Sequence, residues 1–269
     1  MMSRRKFLTL AGLSISGLMA DGFIIEPILM LSKSRIVINV SKSLDFLDFR
    51  IAHISDTHFG FYNTYIPDTL IPDTIYSQVI TEVRRIKPDV IAFTGDLISE
   101  KSSTEDVLEF VERLSRVSPV FIVWGNWDHS KLKSRLNSFK HELESVGEVA
   151  VMVNESIQLE NGFYVIGVDD PFTGRDRLGA AMPAGNGFKI LLAHSPQIIN
   201  GAEGKAQIVL SGHTHGGQVV LPFVGPAYVP LPEKYRKYFG GLYRVGETAM
   251  YVNRGIGMSF LPVRFMCPP

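Results

Sequence analysis

The chain has almost no cysteine. Its one thiol, Cys267, stands near the end of 269 residues, so an internal disulfide framework and a thiolate zinc cage are both excluded. Any metal must be held by nitrogen and oxygen. There is no excess of charge of either sign: 27 Lys plus Arg balance 27 Asp plus Glu, and no long block of one sign occurs. That removes the electrostatic footprint expected of a nucleic-acid binder. Internal repeats and low-complexity tracts are missing too, which excludes solenoids and disordered linkers. The length suits one domain with a sizeable core.

The first apolar stretch is short. Arg4-Arg5-Lys6 is followed by an uncharged run from Phe7 to Ala20, fewer than the about 20 apolar residues of a standard spanning helix. This is a signal-peptide layout. Ser3-Arg4-Arg5-Lys6-Phe7-Leu8 resembles the twin-arginine export signal, with Thr9 where that signal often carries Lys. Leu18 stands where a cleavage site prefers a small residue, and a second apolar stretch, Phe23 to Leu31, follows at once. A cleaved peptide and an uncleaved, membrane-lying anchor both remain open. The expected organisation is a signal or anchor segment over 1–34 and a catalytic domain over 35–269. The domain is expected to be exported or membrane-associated, with the cytoplasmic face of the membrane as the alternative.

The pattern beyond residue 34 predicts an α/β fold. Residues 35–40 alternate as an edge strand, and 50–55 form the first core strand. Helical spacing of Leu70, Ile71, Ile75, Val79, Ile80, Val83 and Ile86 predicts a helix over 68–87, limited by Pro88. Val90 to Thr94 is a strand; Thr104 with Glu105 and Asp106 opens a helix, and the chain returns to a strand after Pro119. A third helix is expected near 131–146. Strands joined by Gly-rich turns then follow at 156–160, 163–168, 188–193, 206–211, 218–221 and 249–253, which read as a second sheet packed on the first. Two long Pro/Gly-rich loops, 169–187 and 222–241, read as functional.

Four apolar runs end in polar clusters: Asp56-Thr57-His58, Gly95-Asp96, Gly125-Asn126-Trp127-Asp128-His129 and Gly212-His213-Thr214-His215. His194 closes a fifth, Ile190-Leu191-Leu192-Ala193. Ligands at the carboxyl ends of neighbouring strands can converge on one point. Residues two apart on an extended segment project to one side, so Asp56 with His58, and His213 with His215, can each reach one cation. Imidazole beside carboxylate suits a first-row divalent ion better than calcium, which prefers oxygen alone.

In this order the segments resemble the calcineurin-like metallophosphoesterase family, over the chain from about residue 50 onward. The resemblance implies a sandwich of two mixed β-sheets flanked by helices, a four-layer fold in agreement with the strand pattern. It implies two divalent ions, with Mn, Fe, Zn and Mg not distinguished. Asp56, His58, Asp96 and His215 are assigned to one ion, and Asp96, Asn126, His194 and His213 to the other, with Asp96 bridging. Two such cations about 3.5–4 Å apart clamp phosphate oxygens, lower the pKa of a bridging water and stabilise an in-line displacement. The activity implied is hydrolysis of a phosphodiester or pyrophosphate bond.

One position departs from the family pattern. Trp127 stands where a His usually stabilises the transition state or protonates the leaving group, and indole donates only a hydrogen bond. His129, two residues on, is the candidate proton donor, with Asn126 and Asp96 also in the catalytic set. A metal-binding scaffold without turnover is the alternative that Trp127 raises. Gly167-Val168-Asp169-Asp170-Pro171, the loop 222–232 and the segment 251–257 resemble the membrane-associated or exported branch, which includes twin-arginine-exported phosphodiesterases and UDP-2,3-diacylglucosamine pyrophosphatases. Expected partners are a small or lipid-linked phosphoester and a membrane surface. Arg175, Arg177 and Arg254 can grip a phosphate, and Tyr228, Tyr235, Tyr238, Phe239 and Tyr243 either meet lipid or pin their loop. His53 reads as a core residue and His141 as solvent-facing.

Overall fold

The structure, a computed structural model, describes residues 4–38, 48–61, 74–100 and 102–269. Strands β1 (Ile51–Ile54), β2 (Val90–Thr94), β3 (Val120–Val123) and β4 (Val149–Val151) form a parallel sheet in that order. Parallel neighbours need crossovers, and helices supply them. Helix Thr74–Ile86 links β1 to β2 and buries Ile75, Val79, Ile80 and Val83 at helical spacing. Helix Thr104–Ser115 links β2 to β3; the Ser103 hydroxyl caps it by accepting the Asp106 N–H at 3.3 Å.

The second sheet is mixed. It contains β5 (Glu155–Gln158), β6 (Tyr164–Gly167), β7 (Lys189–Leu192), β8 (Ile208–Ser211), β11 (Gly241–Val245) and β12 (Thr248–Val252), in the order β11-β12-β8-β7-β6-β5. Pairs β6–β7, β7–β8 and β8–β12 are parallel, and the outer strands β5 and β11 are antiparallel. The period of two decides which side chains face where. On β2, Val90 and Ala92 enter the core between the sheets while Ile91 and Phe93 pack under the helices. On β7, Ile190 and Leu192 face the first sheet, and Leu191 joins the outer cluster. The result is the expected sandwich of four layers.

Several boundaries differ from expectation. Residues 35–38 form no strand; their alternation reflects one partly buried side chain, Ile38, lying against the inter-sheet core. Residues 39–40, and 68–73 of the predicted first helix, lie outside the described residues. The single helix expected at 131–146 is two, Asn126–Leu132 and Leu136–Ser145, because Lys133 takes a positive φ of 49° and breaks the repeat. Strand β4 is only three residues long and is recruited by the edge of β3. Strand β11 lines up against β12 although its own side chains are half exposed. The loop 222–241 contributes a two-residue strand, β10 (Gly225–Pro226), paired with β9 (Val220–Leu221).

Close contact between the sheets rests on one small residue. A Cβ on Gly167 of β6 would overlap Met152 and press on Val123 Cγ1 at 3.0 Å. Gly167→Ala is therefore expected to cost about 1–3 kcal/mol, seen as a lower urea midpoint. Gly179→Ala, where the added carbon meets open space, is the control and is expected not to lower it.

Candidate metal centre

Every one of the expected strand ends reaches the same place. Asp56 and His58 follow β1, Asp96 follows β2, Asn126 follows β3, His194 follows β7, and His213 and His215 follow β8. Because these strands run parallel within each sheet, their carboxyl ends lie on one side. Backbone hydrogen bonds tie the ends together: Asp56 N–H to Gly95 O at 2.9 Å, His58 N–H to Asp96 O at 3.0 Å, and Gly212 N–H to His194 O at 2.8 Å.

The ligand-bearing backbone is strained. Asp56, His58, Asp96, His213 and His215 have φ of 51, 44, 53, 71 and 51°. Each such non-glycine conformation costs about 1–3 kcal/mol and persists only where its surroundings over-determine it. Two glycines make the surroundings tight enough. A Cβ on Gly95 would sit 2.6 Å from Gly125 N and 2.8 Å from His194 Nδ1, and one on Gly212 would overlap Ser55 Oγ and Asp56 Oδ2. Asp128, fully buried, accepts N–H groups from Gly125, Asp96 and Leu97, each at 2.9 Å, and from Ile98 at 3.3 Å.

Two groups of donors result. Ligand atoms of Asp56, His58 and His215 lie within 4.8 Å of one another, and those of Asp96, His194 and His213 do likewise. In the first, His58 Nε2 is 3.1 Å from His215 Nε2, which is 3.4 Å from Asp56 Oδ1. In the second, His194 Nε2 is 3.3 Å from Asp96 Oδ2, 3.1 Å from His213 Nδ1 and 3.2 Å from Asn126 Oδ1. Asp96 joins them. Its Oδ1 accepts the Trp127 N–H at 2.8 Å, while Oδ2 lies 3.5 Å from His58 Nε2 as well as near His194.

Two backbone carbonyls set which nitrogen is free. His194 Nδ1 donates to Thr94 O at 2.7 Å and His213 Nε2 to Pro230 O at 3.1 Å, leaving His194 Nε2 and His213 Nδ1 as the inward nitrogens. Burial lowers the pKa of His58 to about 4 and of His213 to about 3, and drives His215 well below the ordinary range. These imidazoles are neutral at pH 7, the form a metal requires. Burial also works against charge on His194, but Asp96, Asp56 and Asp170 outweigh it and raise its pKa well above the usual value. Burial pushes Asp56 up to about 7, whereas Asp96, equally buried, is held well below the carboxylate range by His194, His58 and His213. Nitrogen lone pairs and carboxylates converge here, and the chemistry of that donor set fits first-row divalent cations.

His129 does not join the two groups. Its Nε2 pairs with Asp169 Oδ1 at 2.6 Å. Trp127 instead approaches the centre, its ring edge-on to His58 with centroids 5.2 Å apart. Arg175 and Arg177 are exposed and line a cleft of about 620 Å³ with Asn154, Asp169 and Asp176. Arg254 is exposed beside Gly216, in the loop that carries His215. His53 is half-buried with Nε2 2.9 Å from Thr94 Oγ1, as a core reading requires, and His141 is solvent-facing. Tyr235 and Tyr238 are buried and pin their loop; Tyr228 is exposed. The staple made by Asp128 was not foreseen. Nor was Phe172, whose ring lies 4.4 Å from that of His213. The only signal for Asp128 was its place in the Gly-Asn-x-Asp segment.

The architecture and site define a two-metal hydrolase, and comparison with known proteins agrees. A family model described as calcineurin-like phosphoesterase matches residues 49–217. The uncharacterized metallophosphoesterase YkuE of Bacillus subtilis is 30% identical over 285 residues, covering 100% of this chain and 95% of that protein. The phosphodiesterase YaeI of Escherichia coli is 30% identical over 230 residues, covering 82% of this chain and 79% of that one. The crystal structure of TT1561 from Thermus thermophilus shares the fold, with a TM-score of 0.53 at 14% identity, over 78% of this chain and 91% of that one. The chain belongs to the calcineurin-like phosphoesterase family. It is a metal-dependent phosphohydrolase of a family that works with two metal ions.

Removing the staple tests how the site is held. Asp128→Ala orphans the four N–H groups and is expected to cost about 2–4 kcal/mol, with weaker Mn²⁺ binding by titration calorimetry. Asp128→Asn keeps one carbonyl acceptor and is expected to lose less on both measures.

Proposed function

We propose that the chain hydrolyses phosphodiester or pyrophosphate bonds in envelope or lipid-linked substrates, as an exported or membrane-associated enzyme. The orientation of Asp96 carries the reading of the site: one oxygen is occupied by the Trp127 N–H, and the other faces both donor groups. Asp56, His58, Asp96 and His215 would hold one divalent ion, and Asp96, Asn126, His194 and His213 the other. When bound, the two ions supply Lewis acidity at phosphate oxygens and an activated water.

The remaining roles fall to this chain's own groups. Thr94 O and Pro230 O fix the tautomers of His194 and His213, so their ligand atoms need no reorganisation. Phe172 covers His213 on the side of the 169–187 loop and limits water there. Arg175 and Arg177 line a cleft that shares Asp169 with His129, and they suit an anionic portion of the substrate beyond the scissile bond. His129, oriented by Asp169, is the candidate donor of a proton to the leaving oxygen. Support for a diester substrate comes from the relative named phosphodiesterase. Support for an envelope or lipid-linked one, of which UDP-2,3-diacylglucosamine is the specific candidate, comes from the basic and apolar start of the chain.

The Mn²⁺-loaded protein is expected to turn over bis(p-nitrophenyl) phosphate or UDP-2,3-diacylglucosamine faster than p-nitrophenyl phosphate. EDTA is expected to abolish the activity, and Asp96→Ala or His213→Ala to reduce it by roughly 100-fold or more. Unchanged metal content and turnover in both variants would refute the ligand assignment. For His129→Gln, the loss is expected to reach about 10²–10⁴-fold with an alkyl leaving group and to be much smaller with p-nitrophenolate. Equal losses on both esters would remove His129 as the proton donor.

A further inference from the structure

Three segments far apart in sequence meet beside the metal centre. The first is the 219–227 hairpin, the second residues 255–267, and the third residues 22–32 from the start of the chain. Val220 N–H donates to Phe265 O at 2.9 Å, and Gln218 Nε2 donates to Leu261 O and Val263 O at 3.1 and 3.2 Å. Arg264 N–H donates to Gly22 O at 2.8 Å, and Ser32 N–H to Pro269 O at 2.6 Å. The buried carboxylate of Glu26 accepts N–H groups from Met266 at 2.6 Å and Cys267 at 2.8 Å. Residues 22–32 are thus packed onto the domain. The same assembly backs the metal loop, since the Cys267 thiol donates to His215 O at 3.4 Å and the guanidinium of Arg264 donates to the carbonyls of Arg254, Gly255 and Gly257.

What these segments show to solvent is apolar. Phe223 is fully exposed, Val224 77%, Phe260 68% and Leu261 61% exposed. Phe23, Ile24, Ile25, Leu29 and Met30 are exposed on the third segment. Charge is missing from this face. Residues 219–232 and 255–263 contain no Asp, Glu, Lys or Arg, and the only charged residue in 22–32 is the buried Glu26. A contiguous exposed apolar face of this kind marks an interaction surface. It runs up to the site itself, because Phe260 lies against Trp127 with ring centroids 6.2 Å apart and Trp127 lies against His58.

We propose that this face, with the hairpin tip Phe223-Val224 and Phe260-Leu261 at its front, inserts into the headgroup region of a lipid bilayer and brings the metal centre to the surface. This deepens the membrane-associated reading above and rests on it. The occupant follows from what adjoins the face. Helix Arg4–Ala20 runs straight into residues 21–29, and Leu13, Leu18 and Met19 on it are exposed. A helix with no charge from Phe7 to Ala20 and a basic start suits an apolar medium bordered by anionic headgroups, not water. At 17 residues it is short for a span, and no described helix is long and apolar enough to cross a membrane. In this proposal it lies along the membrane surface, continuous with residues 21–29. Tyr228, exposed at the base of the hairpin, suits the interfacial level.

The test uses the full chain and needs no hydrolysis. Val224→Cys, Leu261→Cys and, as control, His141→Cys on the exposed face of helix Leu136–Ser145 are each labelled with an environment-sensitive fluorophore; native Cys267 is buried. The proteins are mixed with vesicles of equal phosphatidylglycerol and phosphatidylcholine. Blue-shifted emission and severalfold stronger quenching by nitroxide-bearing lipid at 224 and 261 than at 141 are expected. If the protein binds vesicles while both probes remain in water, the amino-terminal helix alone is the anchor and this surface assignment is overturned. If the protein does not bind and instead forms a dimer in which 224 and 261 are shielded, the face belongs to a second copy. Absence of both binding and shielding rejects the membrane reading itself, whatever the hydrolytic activity.

Discussion

The structure of the site depends on one buried carboxylate. Asp128 takes four N–H groups from the ends of β2 and β3, and so sets the turn that carries Asp96 against the turn that carries Asn126. The first of those turns holds Asp96 in a left-handed conformation that unconstrained chain would abandon. The Trp127 N–H, placed by the same helix start, takes one oxygen of Asp96 and leaves the other for the centre. Burial and the Asp96 charge push the Asp128 carboxyl up to about 7, against the N–H donors that favour its ionised form.

Parallel strands do the rest of the positioning. Within each sheet the carboxyl ends face one way, and the tight inter-sheet core keeps those ends in contact across the sandwich. His213 N–H reaches Asp56 Oδ2 at 3.0 Å, and His194 Nδ1 reaches Thr94 O, so each sheet supplies ligands to a centre that the other helps to orient. Burial keeps three of the four imidazoles neutral, while the surrounding carboxylates raise the pKa of His194. The low dielectric that makes such groups costly also strengthens their hold on a cation.

Much of this was legible in the chain. The apolar runs at 90–94, 120–123, 189–192 and 208–211 became interior strands within a residue or two, because burial on both faces leaves a near-continuous apolar signature, and the run at 51–54 became the edge strand beside β2. Elements that depend on a neighbour were not legible. Strand β4 is three residues recruited by an edge, β11 carries half-exposed side chains, and the break at Lys133 is a backbone event in a sequence that otherwise reads as helix. Alternation at 35–38 looked like a strand and reflects packing alone. At the site, the ligand residues announced themselves by type and place. Their supports did not, since Asp128 and Phe172 act through contacts that span tens of residues.

By itself the sequence determined the kinds of donor, the strands that carry them and the family, because these follow from local pattern: apolar runs, the residues that end them, and their order. A single cysteine and a balanced charge narrowed the chemistry in the same local way. Only the tertiary structure decided which nitrogen of each histidine faces inward, that Asp96 presents one oxygen to both donor groups, and that His129 turns to Asp169. It alone also gathered 22–32, 219–227 and 255–267 into one uncharged face beside the metal centre. Those outcomes require distances between groups remote in the chain. They are fixed by how two sheets pack and by which buried polar groups find partners, and no local pattern contains that information.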